Sequence, residues 1–232
     1  MTTKSQPSVL LVHGAWFGAW SWDEVARDLS VRGWQVHTVE LVSVAERGAP
    51  RFGLYDDAEV VRLRIKEIDG PVVVVAHSYG GAVATQAAHD LPNVVHLAYI
   101  SAFQLDVGEA LKDITVADIM WWEVQDDVSI VSDPRTIFFN DLHSTAADRA
   151  SDRLRPCTAH ISLQPLTSAA WRTVPSTYVV THRDNSFTVK AQEALAARAD
   201  HIRHLASGHA PMLSMPSAVA DLIVEAASRY LD

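Results

Sequence analysis

Pro71-Val72-Val73-Val74-Val75-Ala76-His77-Ser78-Tyr79-Gly80-Gly81-Ala82 is the stretch on which the fold turns. An apolar β-branched run ends abruptly in a serine flanked by residues that permit a sharp bend, so the segment reads as strand, elbow and helix start. A serine hydroxyl is a poor nucleophile near neutral pH. To react it must stand exposed beside a general base, with amide donors ready for the negative charge that develops on a substrate. A strained strand-to-helix turn of the G-x-S-x-G kind supplies all three. Here Ala76 takes the first glycine position and Gly80 the second, and alanine is small enough for the turn to survive. The competing reading is that Ser78 only caps a helix after a buried strand.

Working outward, Val9 to Val12 reads as a short buried strand ending at His13-Gly14, followed by a helical pattern through Trp22, Val25, Ala26 and Leu29 that Gly33 stops. Trp34 to Leu41 alternates like a strand, and Asp56 to Ile68 carries apolar residues at helical spacing. After the elbow come a helix from Gly81 to Ala88, strands at Val94 to Ser101, Thr177 to Thr181 and Ile202 to Leu205, and a closing helix from Pro216 to Leu231. Alternation of this kind implies an α/β fold with a mostly parallel, doubly wound sheet, whose sites form beyond the carboxyl ends of the strands. The segment from Gln104 to Trp171 is too long for a plain connection. The expected organisation is therefore a core built from 1–103 and 172–232, with 104–171 inserted as a mostly helical cap. Trp121, Trp122 and Ile137-Phe138-Phe139 would give that cap an apolar underside.

A chain of 232 residues is long enough for one sizeable core. Nineteen basic against 28 acidic residues give a net charge of −9, and no basic cluster marks a nucleic-acid or anionic-membrane partner. Cys157 is the only cysteine, which excludes an internal disulfide and any Cys-x-x-Cys site. No His-Glu-x-x-His pair suggests a metal, no apolar run approaches a membrane span, and the first residues lack a secretory pattern, so the cytoplasm is the expected location.

The elbow needs partners. His209, in Ala206-Ser207-Gly208-His209-Ala210-Pro211, follows the last short strand and suits a general base that takes the Ser78 proton and returns it to the leaving group. Asp184 follows the Thr177 to Thr181 strand and suits the acid that orients the imidazole, with Asp106 as its rival beyond an earlier strand. The chain order Ser78, Asp184, His209 is the one expected of an α/β-hydrolase. Backbone amides of Tyr79 and Ala15 are the candidate oxyanion donors, with Trp16 as the alternative to Ala15. Gly14 would let that loop approach closely, while His13 braces it. Trp16, Trp121 and Trp122 are candidate substrate contacts.

Four ordered motifs, Leu11 to Trp16 with Trp20-Ser21-Trp22, the His77 to Gly81 elbow, Tyr178 to Asp184, and Gly208-His209 with Pro211, resemble the α/β-hydrolase superfamily over nearly the whole chain. They are most similar to its small serine esterase branch, which holds methylesterases, hydroxynitrile lyases and pyrethroid or carboxylesterase-like enzymes. The resemblance implies an α/β-hydrolase fold with an inserted cap, a Ser78-Asp184-His209 triad, a small-molecule ester substrate and no cofactor; a homodimer is compatible with it. Hydroxynitrile lyases of this branch carry a lysine directly after the catalytic histidine, where this chain has Ala210, and the branches with an aspartate nucleophile are excluded by Ser78. The remaining alternatives are a lactonase, an amide or carbon-carbon bond hydrolase with the same triad, or a ligand-binding protein that kept the scaffold without turnover.

Overall fold

A computed structural model of the chain describes residues 4–45, 51–114 and 122–231. Among these described residues the strands are β1 (Ser8–Val12), β2 (Val36–Val39), β3 (Val72–His77), β4 (Val94–Ile100), β5 (Trp122–Gln125), β6 (Val128–Val131), β7 (Cys157–Thr158), β8 (Ser176–Thr181) and β9 (His201–Leu205). Six of them form one parallel sheet in the order β2-β1-β3-β4-β8-β9. The valine run explains the centre of that sheet. Val72, Val73, Val74 and Val75 point alternately to the two faces and every one is fully buried, so both faces must be covered. Helices α1 (Asp23–Val31), α2 (Leu54–Glu67), α3 (Gly80–Ala87), α7 (Val189–Ala196) and α9 (Pro216–Leu231) do this, with α1 against α9 and α2 against α3.

Residues 104–171 carry short helices, α4 (Leu111–Ile114), α5 (Pro134–Ile137) and α6 (Ser144–Ser151), and a further short helix, α8 (Pro211–Ser214), precedes α9. The inserted stretch also holds something a mostly helical reading omits, a three-stranded antiparallel sheet in the order β5-β6-β7. Its hairpin pairs Gln125 with Val128 across Asp126 and Asp127, whose φ values of 52° and 63° are both left-handed. Two left-handed residues in a two-residue loop make the type of turn that matches strand twist, a role usually announced by glycine. Asp-Asp gives no such announcement, which is why the hairpin escapes a sequence reading. The strand read at Trp34 to Leu41 contracts to Val36–Val39. Among the described residues no helix is long and apolar enough to cross a membrane.

β3 sits between β1 and β4, pairing Ala76 with Val12 on one side and Tyr99 on the other. Position 76 is thus ordinary strand and makes no demand for glycine. The carboxyl ends of β1, β3, β4 and β8 lie side by side, and everything that follows is built on them.

Candidate active site

Ser78 follows β3 immediately and has a φ of 52°, the left-handed region that non-glycine residues avoid. Its neighbours hold it there. The Ser78 amide donates to the Ile100 carbonyl at 3.3 Å, while the Ser78 carbonyl accepts from the Gly81 and Phe103 amides at 3.0 Å each. The loop after β1 presses against the same turn. A Cβ on Gly14 would fall 2.9 Å from Ser78 Cβ, and one on Gly80 would fall 2.5 Å from the His13 carbonyl oxygen. Because the obstacle at Gly80 is backbone, no rotamer change relieves it. Gly80→Ala is expected to cost about 1–3 kcal/mol of stability and, by pushing two loops apart, about a hundredfold in kcat; a thermal melt and an ester assay on the same preparation check both.

His209 lies in the loop between β9 and α8, and Asp184 follows β8. The structure brings them together: His209 Nδ1 donates to Asp184 Oδ2 at 2.8 Å, with both side chains buried. Donation from Nδ1 leaves Nε2 as the proton acceptor. The Asp184 carboxylate is further held by Ser101 Oγ and by Thr181 Oγ1 at 3.0 Å and Gln192 Nε2 at 3.1 Å, all on Oδ2, while Oδ1 accepts the Ser186 and Phe187 amides at 2.8 Å each. Burial alone would push this carboxyl up, but the attraction of His209 and the surrounding donors outweigh it and hold it below its ordinary value. Asp106, the rival acid, is instead paired with the Arg172 guanidinium, whose Nε donates to Oδ1 at 2.8 Å.

His77 supports the same cluster through His209. Its Nε2 donates to the His209 carbonyl at 2.8 Å, and its ring lies 4.7 Å from the His209 ring. Burial first, and repulsion from His209 second, hold His77 well below the usual histidine range, so it stays neutral. Phe138 stacks on the other partner, 5.2 Å from the His209 ring.

Ser78 and His209 line one pocket. Ala15 and Tyr79 line it too, and among the described residues neither of their amides donates to a protein acceptor. His13 accounts for the first of these. Its Nε2 accepts from the Leu41 amide at 3.0 Å, so Nδ1 carries the proton and donates to the Gly14 carbonyl at 2.8 Å. In a trans peptide the carbonyl and the next N–H point in opposite directions, so pinning Gly14 O turns the Ala15 amide to the other side. The rest of the wall is mostly apolar, Trp16, Phe103, Leu111, Trp122, Ile161 and Phe187, with Ser162 and Ser186 as its polar members. Trp16 meets Trp122 edge-on at 5.6 Å and donates its indole N–H to Ser129. Trp121 lies outside the described residues.

Tyr79 is anchored below the pocket, its hydroxyl donating to Asp57 Oδ2 at 2.6 Å while Asp57 Oδ1 accepts the Ser43 amide at 2.9 Å. Burial pushes the Asp57 carboxyl up, further than the hydrogen bonds from Ser43 and Tyr79 pull it down. A folded-state value above the unfolded one means that the wild type loses stability as pH rises through that folded value. Asp57→Asn keeps the acceptor for Ser43, turns its NH₂ toward the Tyr79 hydroxyl and cannot ionise. Its melting temperature is expected to rise relative to wild type between about pH 4 and pH 8, since only the wild type loses stability over that range; melts at the two pH values decide it.

Sequence reasoning placed Ser78, Asp184, His209, Ala15, Tyr79, Trp16 and Trp122 on one pocket or its supporting cluster, and the structure brings all of them together. It did not foresee Ser101, Thr181 and Gln192 around Asp184, nor the pocket residues Phe103, Ile161 and Phe187. Their positions follow from strand register and chain return, which no local pattern encodes.

Known proteins align with this arrangement. The profile of the Alpha/beta hydrolase family matches residues 9–222. An alpha/beta hydrolase of Aspergillus novofumigatus, nvfD, is 26% identical over 98% of this chain and 99% of its own length. Methylesterase 7 of Arabidopsis thaliana is 30% identical over 50% of each chain. Among solved structures, a pyrethroid hydrolase from Sphingobium faniae superposes with a TM-score of 0.85 at 19% identity, covering 96% of this chain and 97% of that one. The chain belongs to the alpha/beta hydrolase family.

Proposed function

We propose that this protein is a serine hydrolase that cleaves small, apolar carboxylic esters through an acyl-enzyme. Ser78 Oγ attacks the ester carbonyl as His209 Nε2 takes its proton, and the oxyanion that forms is met by the Ala15 and Tyr79 amides. Collapse of that intermediate expels the alcohol, which takes the proton from His209. Water then repeats the sequence: His209 removes a proton from it, the hydroxide adds to the acyl carbon, and Ser78 Oγ leaves with the returned proton. Asp184 stays ionised, keeping Nδ1 protonated and offsetting the imidazolium charge.

The observation that carries this reading is the 2.8 Å Asp184–His209 contact opening onto the pocket that holds a left-handed Ser78 and two amides without acceptors. The aromatic and aliphatic wall supports an apolar acid or alcohol portion, with residues 104–171 as the cap above it. Similarity to a methylesterase supports an ester over an amide. A buried, reduced Cys157 fits a cytoplasmic setting. A fluorophosphonate probe tests the proposal. Stoichiometric labelling that disappears in Ser78→Ala is expected, and labelling that persists in that variant, or its absence in wild type, overturns it.

A further inference from the structure

Ser101 ends β4 one residue beyond Ile100 and is fully buried, with a left-handed φ of 46°. A serine side chain crowds its own backbone in that conformation. Its neighbours impose it: the Ser101 amide donates to the Val179 carbonyl at 3.0 Å, and the Tyr178 hydroxyl both donates to the Ala102 carbonyl at 2.7 Å and accepts the Ala102 amide at 3.1 Å. What the conformation achieves is a placement of the hydroxyl. Ser101 Oγ donates to Asp184 Oδ2 and also lies 3.2 Å from His209 Nδ1.

A hydroxyl has one proton, and here the carboxylate takes it, so a lone pair faces the imidazole. The Nδ1–H is then shared between Asp184 Oδ2 at 2.8 Å and Ser101 Oγ at 3.2 Å. A ring rotation that loses one acceptor loses both. Were Ser101 present only to hold the acid, it would be redundant, since Asp184 keeps Thr181, Gln192 and two amides without it.

We propose that Ser101 is a positioning residue that holds the imidazole of the general base in line with its acid. This rests on the serine-triad reading, so Ser78→Ala is carried as a control throughout. One variant tests it with a short p-nitrophenyl ester. Ser101→Gly removes the hydroxyl and relieves the left-handed backbone, so the melting temperature should not fall. Its kcat is expected to drop about tenfold with little change in KM. The acidic limb of kcat/KM should move up by about half a pH unit, because Asp184 loses a donor that shares its charge.

Ser101→Gly with wild-type kcat and pH profile overturns the positioning role. Ser78→Ala remains inactive throughout; if it were active, the serine reading would fall first and this inference with it.

Discussion

Ser78→Ala should lower kcat on a short p-nitrophenyl ester by about 10⁶-fold while leaving KM within a few-fold of wild type. The size follows from what the one oxygen does. Without it His209 has no proton to accept, no acyl-enzyme forms, and the acid and base have nothing to act upon. What survives is the pocket with its two amides, worth a residual acceleration of about 10³ over water. KM stays close because the apolar wall of Trp16, Phe103 and Phe187 is untouched. Steady-state kinetics on purified variant and wild type measure it. A loss of less than about a hundredfold would mean that ester cleavage is carried elsewhere on the molecule.

Asp184→Asn is the second large effect, with an expected loss of about 10⁴-fold in kcat. Four donors converge on Oδ2, namely His209 Nδ1, Ser101 Oγ, Thr181 Oγ1 and Gln192 Nε2, and two amides converge on Oδ1. An asparagine must turn its NH₂ toward one of these groups, so either orientation sets donor against donor. The simplest relief is for His209 to move its proton from Nδ1 to Nε2, which deprives Ser78 of its base. The pH dependence of stability provides an independent check. Asp184 titrates below its ordinary value when folded, so its contribution is present above the unfolded value near 3.9 and is lost as pH falls through the folded one. Asp184→Asn lacks that contribution everywhere. Its melting temperature should lie below wild type at pH 7, and the difference should shrink as pH drops below about 4.

The legible parts of the fold were those governed by local pattern. Val72 to Val75 could only be a strand covered on both faces, and Pro216 to Leu231 runs as one helix over the range its spacing suggested. The elbow announced itself because Gly80 and Gly81 follow a serine at a strand end, and the structure supplies the reason: carbonyl oxygens occupy the space a side chain at position 80 would need. Asp184 was preferred to Asp106 for its place beyond the later strand, since both fall between Ser78 and His209 in the chain, and the Arg172 pairing of Asp106 agrees with that choice. Helix α7 went unread because its eight residues are short for a periodic signal; the Thr188 side chain that accepts the Ala191 amide is its one local cue. The Asp126-Asp127 turn concealed a hairpin. Ser101 could not have been found from sequence at all, since its meaning depends on β4 and β8 lying side by side in register, 83 residues apart along the chain from Asp184.

Cys157 lies in β7 with its side chain inside the protein, and burial pushes its thiol up to about 12. Thiolate is the form that meets maleimides, peroxides and disulfides, and at neutral pH this sulfur supplies almost none of it. The native protein is therefore blind to thiol reagents. One cysteine introduced on the outer surface of residues 104–171 would become the sole point of attachment for a spin label or fluorophore, with no need to delete the resident one, and movement over the pocket could be followed in the otherwise unaltered enzyme.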